Sequence, residues 1–193
     1  MKTALLKKNW KYILTGLAAP ILVMLAAAKV KAMDSPIKPN QPVPAPQSQE
    51  YNNLNAFLRM LQFSEGTIGA NAYRTLFGGK LFDDYSRHPD TPVTRWGITS
   101  TAAGAYQILY RTWVNVSSAL KLKDFSPASQ NRAAIELIRR RGALEDVLAG
   151  RLAEAVEKCK KEWASLPGAG YGQKEQRFSA LMNFYKQAGG QLG

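Results

Sequence analysis

The sequence predicts an α+β domain, mostly helical with a small antiparallel β-sheet, preceded by one N-terminal transmembrane helix. Three observations carry this prediction. Capped apolar stripes at helical spacing run through residues 51–193, β-forming residues flank Gly78-Gly79, and an uncharged apolar run between lysines lies near the start. A length of 193 residues suits one ordinary domain plus extensions.

Residues 1–11 form a basic N-terminus with Lys2, Lys7, Lys8 and Lys11. Tyr12–Ala28 follows without a charge, and Lys29 and Lys31 come next. As a helix these 17 residues span about 25 Å, short of a hydrocarbon core of roughly 30 Å. Snorkelling lysine stems make up the difference. Thr15, Gly16, Pro20 and several alanines make the span only weakly apolar. The small residues around "VKA" also fit a cleavable signal peptide, but Lys29 and Lys31 crowd that region. An uncleaved anchor with a cytoplasmic N-terminus fits the charges better. Either reading exports the rest of the chain.

Residues 29–50 form a linker. Within it, "SPIKPNQPVPAPQSQ" holds five of the ten prolines and has no apolar periodicity. It reads as a semi-rigid polyproline spacer that cannot build a core. The domain then occupies 51–193.

Leu54, Phe57, Leu58 and Leu61 make the stripe of a first helix ending near Glu65. "AYRTLFGGKLFDDY" predicts a hairpin turning at Gly78-Gly79. Ser126 and Pro127 mark the N-cap and first position of a helix that Gly142 ends. Two further helices are predicted at 151–166 and 174–188, separated by "PGAGYGQ".

The net charge of +12 is uneven: 51–193 carries 19 basic and 12 acidic side chains, a net of +7. Such a domain could face nucleic acid, lipid or an acidic polymer; export argues against nucleic acid. One cysteine and one histidine exclude a structural zinc site and an intrachain disulfide. Cys159, on an amphipathic pattern, reads as a buried thiol, and His88 in "SRHPDTP" as a solvated loop residue.

Three stretches look chemical. In "LRMLQFSEGT" a carboxyl, Glu65, ends an apolar helix after Phe63. Apolar neighbours disfavour its ionised form, which suits a general acid. In "STAAGAYQIL" small residues precede Tyr106-Gln107, with Ser100 or Thr101 as a helix cap. In "SLPGAGYGQ" Tyr171 sits in a Gly-rich loop, where it is a sugar-stacking or hydrogen-bonding candidate.

In this order, "SEGT", "FGGKLFDDYSRHP", "GAYQIL", "KDFSPASQ", "RGAL" and "WASLPGAGYGQ" resemble the lambda-type phage endolysins, lytic transglycosylases of the lysozyme superfamily. The resemblance covers about residues 54–190. Bacterial lytic transglycosylases are similar in layout: a catalytic Glu, then Gly-Leu-Met-Gln, then an aromatic in a Gly-bearing loop. Those parts fall here on Glu65, on Gly104–Gln107 with Ala105-Tyr106 in place of Leu-Met, and on Tyr171.

The resemblance implies a lysozyme-like domain with Glu65 catalytic and Ser100, Thr101, Tyr106, Gln107 and Tyr171 binding substrate, using neither metal nor cofactor. It implies a monomer acting on peptidoglycan glycan strands, with a functional link to a phage holin or pinholin. The weak anchor resembles the signal-arrest-release type. That places the chain in the host inner membrane with a periplasmic catalytic domain, freed on depolarisation to lyse the host. Cleavage would be non-hydrolytic, the 6-hydroxyl of N-acetylmuramic acid attacking its own C1 to give a 1,6-anhydro ring. A tethered nucleophile can be worth an effective molarity of about 10⁵–10⁸ M, so a second carboxylate is dispensable. Hydrolysis assisted by Asp83 or Asp84, and a non-catalytic tethered wall-binding protein, are the alternatives.

Overall fold

Ser48 opens the first helix, its hydroxyl accepting the Tyr51 N–H at 3.1 Å, as an N-cap should. This is where the computed structural model begins to describe the chain, which it follows over residues 48–193. The expected anchor at 12–28 and the linker up to residue 47 lie outside the described residues. Among those described, no helix is long and apolar enough to cross a membrane.

Helix α1 spans Gln49–Ser64. Leu54, Phe57, Leu58 and Leu61 are buried as their spacing predicts. The helix stops on a Schellman motif: Gly66 N–H donates to Phe63 O (3.1 Å) and Thr67 N–H to Gln62 O (2.9 Å). That geometry needs a left-handed residue after the cap, and Gly66 has φ +69°. Glu65 is the C-cap itself, so the glycine after it ends the helix and fixes where the carboxyl leaves it.

The remaining order is a 3₁₀ turn (Ala72–Arg74), β1 (Val93–Arg95), β2 (Ile98–Ser100), α2 (Tyr110–Leu120), α3 (Pro127–Arg140), α4 (Leu144–Leu148), α5 (Leu152–Cys159) and α6 (Phe178–Gln187). The described residues thus hold six α-helices and a two-stranded antiparallel sheet, the α+β class expected. α1 packs against α4 and α6, and α2 against α3. Phe57 and Met60 of α1, Val147 of α4 and Leu181 and Tyr185 of α6 belong to one buried core.

Where local signals suffice, expectation and structure agree. Ser126 caps α3 by accepting the Ser129 N–H, and Pro127 occupies its first position. Cys159 is buried, and burial pushes its thiol up to about 12, which makes it inert as a nucleophile.

Elsewhere the structure corrects the reading. The hairpin predicted at Gly78-Gly79 is only a tight turn closed by an isolated Thr75–Leu81 bridge. The β-ladder is the later pair, with Val93 opposite Ser100 and Arg95 opposite Ile98. The backbone at 75–77 is engaged by a distant partner: Phe77 N–H donates to Ala102 O (2.9 Å) and Gly104 N–H to Thr75 O (2.8 Å). No helix starts at Ser100 or Thr101. α2 starts at Tyr110, although the Thr101 hydroxyl does accept the Tyr110 N–H, at 3.2 Å.

The two C-terminal helices are shorter than predicted. α5 ends at Cys159, after which Trp163 turns inward and donates its Nε1–H to Tyr106 O at 3.1 Å. Residues 174–177 close the preceding loop instead of starting α6. The Glu175 carboxylate accepts the N–H groups of Gly168 and Gly170, each at 2.8 Å, and Gln176 N–H donates to Ser165 O.

His88 is the largest correction, being buried rather than solvated. Its ring packs against Tyr110, Trp113 and Phe125. Nδ1 accepts the Asp90 N–H at 3.0 Å, which leaves Nε2–H to donate to Ile108 O at 2.9 Å. Burial pushes its pKa down, so the neutral ring is a structural brace.

Candidate active site

Glu65 leaves the end of α1 at the floor of a cleft of about 880 Å³. The 75–79 turn, with the hairpin tip at Trp96 and Ile98, borders it on one side; Ser165 and Gly172–Lys174 border it on another. Thr67 ties the segment after Glu65 to the 104–107 turn by donating its hydroxyl to Ala105 O at 2.6 Å.

The carboxyl is held by a chain of hydroxyls. Ser165 donates to Glu65 Oε1 at 2.6 Å. The Ser64 and Ser165 hydroxyl oxygens lie 2.7 Å apart; with the Ser165 proton committed to Glu65, Ser64 is the donor between them. Burial raises the Glu65 pKa from 4.5 to about 7, and the Ser165 hydrogen bond moderates that rise. Such a group is part protonated and part ionised at neutral pH, which suits a proton donor that later takes a proton back. Among the described residues lining this cleft, Glu65 is the one carboxylate.

The acids considered as partners lie elsewhere. Asp83 is exposed and paired with Arg74. Asp84 accepts the backbone N–H (2.7 Å) and hydroxyl (2.8 Å) of Ser86, which hold its carboxyl below the usual range. Neither lines the cleft.

Of the residues expected to bind substrate, Gln107 lines the cleft. Both of its amide protons are committed, to Thr75 O and Gly104 O at 3.0 Å each. Its carbonyl oxygen is therefore the group left to offer a ligand. The backbone there is left-handed, at φ 46°, a strained conformation of the kind that clusters at functional sites.

The other four do not line the cleft. Tyr106 is buried and donates to Asn131 Oδ1 at 2.6 Å, beside Tyr73, which donates to the same oxygen at 2.9 Å. The Gln62 amide donates to Tyr106 Oη at 3.3 Å, so the ring belongs to a polar network. Ser100 Oγ accepts the Ala102 N–H, and the Thr101 hydroxyl accepts the Tyr110 N–H. Tyr171 donates to Lys161 O at 3.2 Å, while its neighbours Gly172–Lys174 form the cleft border.

The sequence reading missed Ser64, Ser165, Phe77 and Trp96. Ser165 lies 100 positions from Glu65, and no local pattern joins them. A second depression of about 830 Å³, bordered by Arg87, His88, Asp90 and Trp113, shares no lining residue with the Glu65 cleft. Its histidine is neutral and fully engaged, so the chemistry points to Glu65. Among the described residues, no group of three His, Cys, Asp or Glu could hold a metal ion.

The Endolysin family model matches residues 55–192. The chain is 45% identical over 161 residues to the endolysin of Escherichia phage P2, covering 75% of this chain and 98% of that one. It is 45% identical over 146 residues to the endolysin of Escherichia phage lambda, covering 72% and 92%. Among solved structures it is similar to bacteriophage lambda lysozyme complexed with a chitohexasaccharide, at TM-score 0.71 and 44% identity, covering 74% of this chain and 97% of that one. A second structure of lysozyme from bacteriophage lambda has TM-score 0.67 at the same identity and coverage. The fold is lysozyme-like.

Proposed function

The chain belongs to the endolysin family, and on that premise we propose that it degrades host peptidoglycan as a lytic transglycosylase, with Glu65 as its one acid–base group. The observation carrying this reading is a carboxyl raised to about 7 in a cleft lined by no other carboxylate among the described residues. A solved relative, lambda lysozyme, is complexed with a chitohexasaccharide, which supports placing a glycan in this cleft.

The reaction balances without water. Protonated Glu65 gives its proton to the glycosidic oxygen between N-acetylmuramic acid and N-acetylglucosamine, and the C1–O bond breaks. The glucosamine end leaves as a hydroxyl. The 6-hydroxyl oxygen of the muramic acid bonds to C1, and the Glu65 carboxylate accepts its proton. Because the nucleophile is already attached to the sugar, orientation replaces water activation, and a second carboxylate is not needed. Ser165 and Ser64 hold Glu65, and the Gln107 carbonyl oxygen accepts a hydrogen bond from the sugar.

The mass of muropeptides released from purified peptidoglycan tests this. Ends lighter than ordinary reducing ends by one water are expected, and Glu65→Gln abolishes release while the variant remains folded. Ordinary reducing ends would instead assign hydrolysis; undiminished lysis by Glu65→Gln would assign a non-catalytic role.

We also propose that residues 12–28 tether the catalytic domain to the periplasmic face of the inner membrane until a holin or pinholin collapses the potential. The lysine-flanked, weakly apolar composition supports this. N-terminal sequencing of the soluble form checks it: a start at Met1 is expected, and a start at Met33 would mean cleavage instead.

A further inference from the structure

Trp96 stands on the tip of the β1–β2 hairpin with 80% of its surface exposed, the most exposed large apolar side chain among the described residues. Its backbone is left-handed, at φ 50°, an uncommon conformation for a bulky residue. Bare aromatic surface in a strained turn contributes little to the free molecule, since an indole left mostly in water forgoes most of the gain of burial. The position is nevertheless firmly built. Phe77 meets the indole edge-on, with centroids 5.8 Å apart and planes at 87°. The Arg95 stem crosses Gly78 so closely that a Cβ there would lie 2.7 Å from its Cγ. These contacts fasten the hairpin tip to the 75–79 turn, and both Trp96 and Phe77 line the cleft that holds Glu65.

We propose that Trp96, braced by Phe77, is a carbohydrate-stacking platform at the mouth of this cleft. It takes the C–H face of a pyranose ring in the glycan strand, beyond the linkage that Glu65 breaks. A sugar ring is apolar on its faces and polar at its rim, and the cleft divides the same way. An indole stands on one side, while Gln173 and Lys174 supply polar groups on another. The Phe77 contact reduces the freedom that the indole loses on binding, so more of its stacking energy appears as affinity. This inference rests on the glycan-cleaving reading above and adds the surface that grips the strand.

The test uses the full chain carrying Glu65→Gln, so that bound sugar is not turned over, and a soluble hexamer of N-acetylglucosamine titrated calorimetrically. Adding Trp96→Ala should weaken binding about tenfold, as truncating an aromatic anchor does. Trp96→Phe should keep most of the affinity. The parent's tryptophan emission should shift on binding, and the Trp96→Phe chain should lose that shift although its other three tryptophans remain. Trp96→Ala binding within twofold of the parent, or a shift that survives Trp96→Phe, would overturn the platform while leaving the glycan reading intact. No binding of the hexamer by any form, together with no muropeptide release by the active chain, would overturn both.

Discussion

Burial and a hydroxyl act on Glu65 in opposite directions. The cleft floor disfavours its charge, and Ser165 donating at 2.6 Å favours it; burial wins, leaving the pKa at about 7. The acid form, which the proposed reaction uses first, is dominant below that pH and is lost above it. Activity should therefore fall about tenfold per pH unit above 7 when kcat/KM is followed across pH. Removing the hydrogen bond removes the influence that lowers the pKa. Ser165→Ala should move this alkaline limb to higher pH while Ser165→Thr holds it in place, and a limb that does not move would exclude this role for Ser165. The carboxyl itself was legible in the sequence, because Phe63 before it and Gly66 after it are local signals. Ser165 was not, since its role exists only once the loop after α5 folds back onto the end of α1. Tyr106, next to Gln107 in a Gly-bearing stretch, reads as a sugar contact; the structure places its ring in the interior, with its hydroxyl bonded to Gln62 and Asn131.

Elements read correctly where capping and periodicity are local, as in α1 and α3, and read poorly where the partner is distant. The 75–77 strand fragment is paired with 102–104 as well as with its own hairpin arm, which no alternation of residues around Gly78-Gly79 reveals. The turn at Gly104–Gln107 depends equally on a remote group. Gln130, from α3, accepts the Ala105 N–H at 2.9 Å and donates to Tyr73 O and Phe125 O. Gly104 has φ +76°, and a Cβ there would lie 2.1 Å from Gln130 Oε1. Gly104→Ala therefore forces a left-handed alanine and displaces the amide that joins α3 to the cleft wall. Left-handed strain and overpacking each cost about 1–3 kcal/mol. Denaturant unfolding should show a loss in that range or above, together with reduced activity as Gln107 is displaced. A chain of unchanged midpoint would mean that Gln130 yields freely.

At the scale of the molecule, two titrating groups pull stability in opposite directions with pH. The folded pKa of Glu65 is raised, so its cost is absent below about 4.5, grows as pH rises towards 7, and is complete above that. The folded pKa of His88 is lowered from 6.5. The unfolded chain therefore takes up a proton that the folded one refuses, and stability falls as pH drops through 6.5. Asp146 belongs to a separate, more acid window. Burial opposes its ionisation, but hydrogen bonds from Lys158 and Arg151 prevail and hold it below 3.8, so its contribution is lost only as pH falls below that value. Thermal unfolding at pH 5 and pH 8 separates the first two. Glu65→Gln should raise Tm clearly at pH 8 and little at pH 5. His88→Gln, which keeps a donor for Ile108 O, should flatten the decline between pH 7 and pH 5 whatever its absolute cost. If the Glu65→Gln gain is the same at both pH values, the carboxyl does not titrate with a raised pKa, and the pH limit proposed for catalysis fails with it.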